Sequence, residues 1–217
     1  MIQVMHQSNT IEKLISQVDI ALRTLMPPKQ RQSLRISPAQ NMPESELCEE
    51  EKKLVAGLMR VNHAGEVCAQ ALYQGQALTA KLTSVRTQMT MAAQEEIDHL
   101  AWCEQRLCEL HSHTSALNIL WYSGSFFIGA LAGIAGDRWS LGFVAETERQ
   151  VTAHLQHHLS NLPKQDLKTQ AIVTQMQIDE TQHADCAQQA GAAELPLFIK
   201  QAMKGVSKLL TYGSYYI

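Results

Sequence analysis

Apolar residues return every three or four positions along most of this chain, the period of a helix with one buried face. Between residues 11 and 26 the apolar set is Ile11, Leu14, Ile15, Val18, Ala21, Leu22 and Leu25, and Pro27-Pro28 stop the helix that this spacing predicts. A polar stretch follows to about Ser45, with Ser37-Pro38, Asn41 and Pro43 as turn formers, and reads as a linker or a strap across a surface. Residues 1–45 are expected to form an N-terminal helix and strap, and residues 46–217 a helical body, in a single domain overall. The body opens with a long helix from Glu46 to about Leu82, whose Glu49, Glu50 and Glu51 suit the positive helix end. A second helix, from about Ser84 to Leu110, gathers Met89, Ala92, Ala93, Leu100, Cys103, Leu107 and Leu110 on one face, and the short turn between the two makes them antiparallel.

The pattern then changes. Ser112 to Gly136 is a run of 25 residues without Asp, Glu, Lys or Arg, including Leu120-Trp121-Tyr122 and Phe126-Phe127-Ile128. Roughly 20 apolar residues suffice to cross a bilayer, but Ser115, Asn118, Ser123, Ser125 and four glycines dilute this run. It is expected to lie along the body as a long connection, its excess apolar character marking a membrane-facing or ligand-facing surface. Helical spacing resumes from about Leu141 to Asn161, closed by Pro163, and again from about Lys164 to Ala190, with Gly191 near the end. In the last segment, Leu195 to Tyr212, Leu197, Phe198, Ala202, Met203, Val206, Leu209 and Leu210 stand opposite Lys200, Lys204 and Lys208. Such a face can lie in a membrane interface or pack on the body, and the pattern alone leaves both readings open.

Composition agrees with an all-α chain. At 217 residues and 45% hydrophobic it can bury one sizeable core, and only 6% of residues are aromatic. A net charge of −3 and the lack of any Lys/Arg block speak against nucleic acid as a partner. The cysteines Cys48, Cys68, Cys103, Cys108 and Cys186 are odd in number and include no C-x-x-C, so neither a zinc site nor a disulfide framework is expected. No basic n-region followed by an apolar run opens the sequence, so no secretory leader is expected.

The chemistry lies in two short runs, Glu96-Ile97-Asp98-His99 and Glu180-Thr181-Gln182-His183. An i, i+3 pair shares one helix face, so each carboxylate and imidazole can reach one metal ion. A single Glu-x-x-His is usually a solvated pair. Here each copy is preceded by a helix carrying its own Glu: Glu66 stands 30 residues before Glu96, and Glu148 stands 32 before Glu180. This repeat is the ligand pattern of ferritin-like di-iron and di-manganese bundles, in which one long crossover joins the second and third helices. The expected fold is thus a ferritin-like four-helix bundle with residues 112–136 as the crossover and amphipathic helices added at both ends. Four carboxylates offset the charge of two divalent ions, and oxygen-rich sites with one His each suit iron. On the third bundle helix Glu146 and Glu148 point about 200° apart. Leu141, Val144, Val151, Leu155 and Leu159 share a stripe with Glu148, which makes Glu148 the inward residue and Glu146 a solvated or outer one. Tyr73 and His154 are candidates to orient ligands from outside. His6, His63, His111, His113, His157 and His158 are expected to be exposed or structural.

Several strings resemble the demethoxyubiquinol hydroxylases of ubiquinone biosynthesis: Arg60-Val61-Asn62-His63-Ala64-Gly65-Glu66, Glu95-Glu96-Ile97-Asp98-His99-Leu100, Ala145-Glu146-Thr147-Glu148-Arg149-Gln150-Val151 and Asp179-Glu180-Thr181-Gln182-His183-Ala184. The resemblance runs from about Ile11 to the end, and the first string is its most specific part. It implies Glu66, Glu96, His99, Glu148, Glu180 and His183 as ligands of two iron ions. It also implies O2 as co-substrate, a polyprenyl demethoxyubiquinol as substrate, and peripheral attachment to the cytoplasmic face of a bacterial cell membrane. No G-x-G-x-x-G fingerprint follows a strand, so the electrons are expected from outside, from NADH, a reductase or the quinol itself. Other ubiquinone-biosynthesis proteins, or further copies of the chain, are expected partners. The rival readings are an iron store or peroxide-reducing protein on the same core, and a membrane-binding bundle without a metal.

Overall fold

The structure, a computed structural model, describes residues 10–27 and 31–217. His6 and Pro28 lie outside the described residues, as does the Leu14 side chain. Seven helices and no strand occur among the described residues: α1 Thr10–Leu25, α2 Glu49–Thr79, α3 Thr83–Glu109, α4 Asn118–Ala135, α5 Asp137–Asn161, α6 Leu167–Gln189 and α7 Leu197–Tyr216.

α2 and α3 form one antiparallel pair and α5 and α6 another, and the pairs meet face to face, α3 on α6 and α2 on α5. This is the expected four-helix bundle. α2 is its centre, flanked also by α4 and α7, and stays buried almost continuously from Val55 to Gln76. A helix enclosed on every side needs no single apolar stripe, which explains how Asn62, Glu66, Gln70 and Gln74 occupy it. Around the bundle axis Met59, Trp102, Leu155, Ile172 and Met176 form the main apolar cluster. The strap enters the same cluster through Ala39 and Leu47.

The helix ends follow local chemistry. At the start of α2 the Glu51 carboxylate accepts the Cys48 N–H at 2.9 Å, satisfying one of the donors that a helix N-terminus leaves open. α6 begins three residues later than Lys164 because Asp166 caps it, accepting the Thr169 N–H at 3.1 Å. The same carboxylate takes a 3.0 Å bond from the buried Arg106, which also reaches Glu44 at 3.0 Å and so ties α3, α6 and the strap together. Gly191 ends α6 at φ +96°, a conformation that costs glycine little.

The crossover is itself a helix. α4 runs along α2 so closely that a methyl group added at Gly129 would overlap the Leu72 backbone, and one at Gly75 the backbone of Phe126. Tyr122 turns inward on this face, while Ile119, Leu120, Phe127, Leu131 and Ile134 are exposed. By length and composition α4 is apolar enough to cross a membrane, with a mean hydropathy of 1.3. Ala21 and Leu25 of α1 and Phe126 of α4 pack against one buried cluster of Val67, Ala71, Leu100 and Tyr122, and near the start of α4 the Trp121 indole donates to Ser214 of α7 at 3.0 Å. α1 and α7 therefore each border α4, and all three leave apolar side chains in solvent.

Candidate metal centre

All six residues singled out by spacing converge inside the bundle. Glu66 comes from α2, Glu96 and His99 from α3, Glu148 from α5, and Glu180 and His183 from α6. The four carboxylates and His99 are each 3% exposed or less, which would be prohibitive for unpaired charges. Their ligand atoms form two overlapping sets, Glu66/Glu96/His99/Glu180 and Glu96/Glu148/Glu180/His183, each with its atoms within 4.8 Å of one another. Glu96 and Glu180 belong to both, as carboxylates spanning two ions would.

Each imidazole turns Nδ1 to this cluster. His99 Nδ1 lies 3.2 Å from Glu96 and 3.4 Å from Glu66, and His183 Nδ1 lies 2.9 Å from Glu180. Nε2 points outward in both cases, His99 donating to Asp179 at 2.9 Å and His183 to Glu95 at 2.8 Å. An outward N–H···carboxylate bond fixes the tautomer and leaves the Nδ1 lone pair for a cation. Ligand spacing alone assigns these two outer carboxylates no role. Their signal was present in the acid immediately before each Glu, which makes the repeat unit acid-Glu-x-x-His, and each acid serves the histidine of the other helix.

Electrostatics shows how poorly protein groups alone satisfy this cluster. Burial, and then the charges of Glu180 and Glu66, push the Glu96 carboxyl well above its ordinary range. Burial and the charge of Glu180 do the same to Glu148. Against burial, the neighbouring imidazoles of His183 and His99 hold Glu180 low, and contacts with Glu180 and Glu148 raise His183 to about 9, so that without a metal a proton takes the Nδ1 place that a cation would fill. Glu96 Oε1 still finds no hydrogen-bond partner, the His183 Nδ1 standing 3.6 Å away. Glu180 Oε1 is unpartnered too, although His99 Nδ1 approaches to 3.0 Å, because the approach is off the hydrogen-bond axis. Buried acceptors without donors, in a box of carboxylates with two inward imidazole nitrogens whose protons a metal would displace, fit a pair of divalent cations. Oxygen donors with one nitrogen for each ion suit iron or manganese better than zinc.

Of the two outer candidates, Tyr73 makes the contact and His154 does not. The buried Tyr73 hydroxyl donates to Glu148 Oε1. His154 lies against His158, with ring centres 4.0 Å apart and planes tilted by 58°, and its Nε2 has no partner. His63 is buried, bonded to Glu104 at 3.2 Å. Glu148 is inward as its stripe requires, but Glu146 is not a solvated residue: it is 8% exposed. Gln150 donates to it at 2.7 Å and Lys200 stands 3.6 Å away, because α7 covers the face that the pattern of α5 alone left to solvent. The strap also reaches the centre through Arg35, which pairs with Asp98 at 3.0 Å and Asp179 at 2.8 Å, and nothing in the polar pattern of residues 28–45 marked that arginine.

Comparison with known proteins gives consistent results. The family profile described as "Ubiquinone biosynthesis protein COQ7" matches residues 53–214, well over half the chain. A "3-demethoxyubiquinol 3-hydroxylase" of Legionella pneumophila (strain Paris) is 63% identical over 213 residues, covering 98% of this chain and 100% of the relative. A protein of the same description from Acinetobacter baumannii (strain ATCC 17978) is 58% identical over 207 residues, covering 95% and 97%.

Proposed function

The chain belongs to the ubiquinone biosynthesis family COQ7, and from that premise we propose that its buried core is the dinuclear iron centre of a 3-demethoxyubiquinol 3-hydroxylase. The observation that carries this reading is the pair of overlapping four-residue sets sharing Glu96 and Glu180. Bound there in the reduced state, two irons supply the capacity to activate O2, one oxygen atom entering the quinol ring as hydroxyl and the other leaving as water. Two electrons come from an external donor, NADH or a reductase, and two protons complete the water.

The protein's part is to build and shield the site. Glu66 and His99 would hold one ion and Glu148 and His183 the other, with Glu96 and Glu180 in reach of both. Asp179 and Glu95 hold the imidazoles in the tautomer that presents Nδ1. The Tyr73 hydroxyl holds Glu148 by one oxygen. The buried Trp102, its ring centre 5.4 Å from that of His99, helps to keep water from the centre. A low-dielectric surround makes each of these polar contacts stronger than it would be in water.

A polyprenyl quinol resides in a bilayer, so the enzyme meets it there. The exposed apolar residues of α4 (Ile119, Leu120, Phe127, Leu131), α7 (Leu197, Phe198, Leu209) and α1 (Ile15, Val18) support a peripheral attachment, with Lys204 and Lys208 suited to anionic headgroups on the cytoplasmic side. The test is anaerobic reconstitution with ferrous iron, then addition of O2, a reductant and a short-chain 3-demethoxyubiquinol. The expected result is a product one oxygen heavier, labelled when 18O2 is used. Iron uptake without such a product would overturn the assignment.

A further inference from the structure

The two ends of the centre are built alike but held differently. At the His99 end both oxygens of Asp179 are taken: Oδ2 by His99 at 2.9 Å and Arg35 at 2.8 Å, Oδ1 by Gln175 at 2.9 Å. Arg35 is fixed in turn, with Asp98 at 3.0 Å and its guanidinium 4.9 Å over the Trp102 ring. The Asp179 side chain is 8% exposed. At the His183 end the acceptor is Glu95, whose side chain is 45% exposed and has no other partner among the described residues. His183 itself is 10% exposed, where His99 is sealed at 0%.

We propose that the two metal positions are unequal, the Glu66/His99 position filling first and emptying last because strap residue Arg35 pins Asp179 onto His99. This rests on the dinuclear reading above. A bond to a buried, immobilised carboxylate orients an imidazole more firmly than one to a solvated carboxylate that water can replace. Net charge does not explain the difference. Arg35 offsets one of the two carboxylates Asp98 and Asp179, leaving a single negative charge at that end, and Glu95 supplies one at the other. Burial and restraint are what distinguish them. Arg35 is a positioning residue: it holds Asp179, and its Nη2 stands 3.3 Å from His99 Nε2.

The test is titration of the metal-free full chain with Mn(II), read by electron paramagnetic resonance, which separates a lone ion from an exchange-coupled pair. In the first equivalent the wild type should show lone ions, with the coupled signal growing only in the second. Glu148→Gln should keep the first event and Glu66→Gln should lose it. Asp179→Asn and Arg35→Gln should weaken the first event by ~10–100-fold, the usual effect of an outer partner, so that lone and coupled signals rise together. Glu95→Gln should keep the wild-type order. So should Arg31→Gln, which frees the strap from Glu104 without touching Asp179; circular dichroism checks that each variant is folded. Coupled pairs from the first addition in the wild type would overturn the proposal. So would loss of the first event in Glu95→Gln or Arg31→Gln. A chain that bound no Mn(II) would overturn the dinuclear reading and this proposal with it.

Discussion

Glu146 and Glu148 stand two positions apart on α5 and have opposite surroundings. Glu148 is 1% exposed and faces the carboxylates of Glu96 and Glu180, while Glu146 lies under α7 beside Gln150 and Lys200. Glu148→Gln should therefore lose iron and turnover together, by more than the ~10–100-fold that disturbing an outer partner costs. Glu146→Gln should keep most of both, since its hydrogen bond from Gln150 can survive in the amide; iron analysis and product formation decide between them. The inward set was legible because a buried Glu in an aliphatic stripe, repeated at matched spacing, has few explanations. The outer shell was less legible. Asp179 and Glu95 each act on the histidine of the facing helix, and Arg35 arrives from a strap without periodicity, so no pattern within one element marks the contacts they make.

At the scale of elements, α4 is where sequence and structure differ most. Its uncharged run is readable as a crossover, but its close fit on α2 depends on Gly75 and Gly129 meeting backbone to backbone, which a one-dimensional pattern does not encode. Gly129→Leu should force the helices apart and destabilise the fold by ~1–3 kcal/mol, the usual range for overpacking. Gly124→Ala, where an added methyl meets nothing, should be neutral or slightly stabilising; urea midpoints measure both. The outer face of α4 and that of α7 give a separate prediction. Phe127→Asp with Leu131→Asp, or Val206→Asp with Leu209→Asp, should lower co-sedimentation with anionic vesicles while leaving iron content intact, since all four residues are exposed and none touches the centre. Undiminished sedimentation of both pairs would remove the membrane role assigned to these helices.

For the whole molecule, the bundle holds polar groups in its interior beyond the centre, and these set its response to acid. Burial, and then the charges of His154 and His157, push His158 down to about 3 from an ordinary 6.5. The unfolded chain takes up this proton near its ordinary value and the folded chain refuses it. The contribution of His158 is therefore complete above pH 6.5 and is lost as pH falls toward 3, by up to ~1.4 kcal/mol per unit. His158→Leu, beside Leu155 and Leu162 of the core, should flatten the fall in urea midpoint between pH 6.5 and 5; an unchanged slope would contradict the burial of a neutral imidazole there. The central claim is that four helices bring six side chains around two irons, and anomalous diffraction at the iron edge from iron-loaded crystals tests it most directly. Two peaks ~3.5–4 Å apart are expected, one at Glu66 and His99, the other at Glu148 and His183, with Glu96 and Glu180 reaching both. A single peak, or two peaks away from these carboxylates, would contradict it.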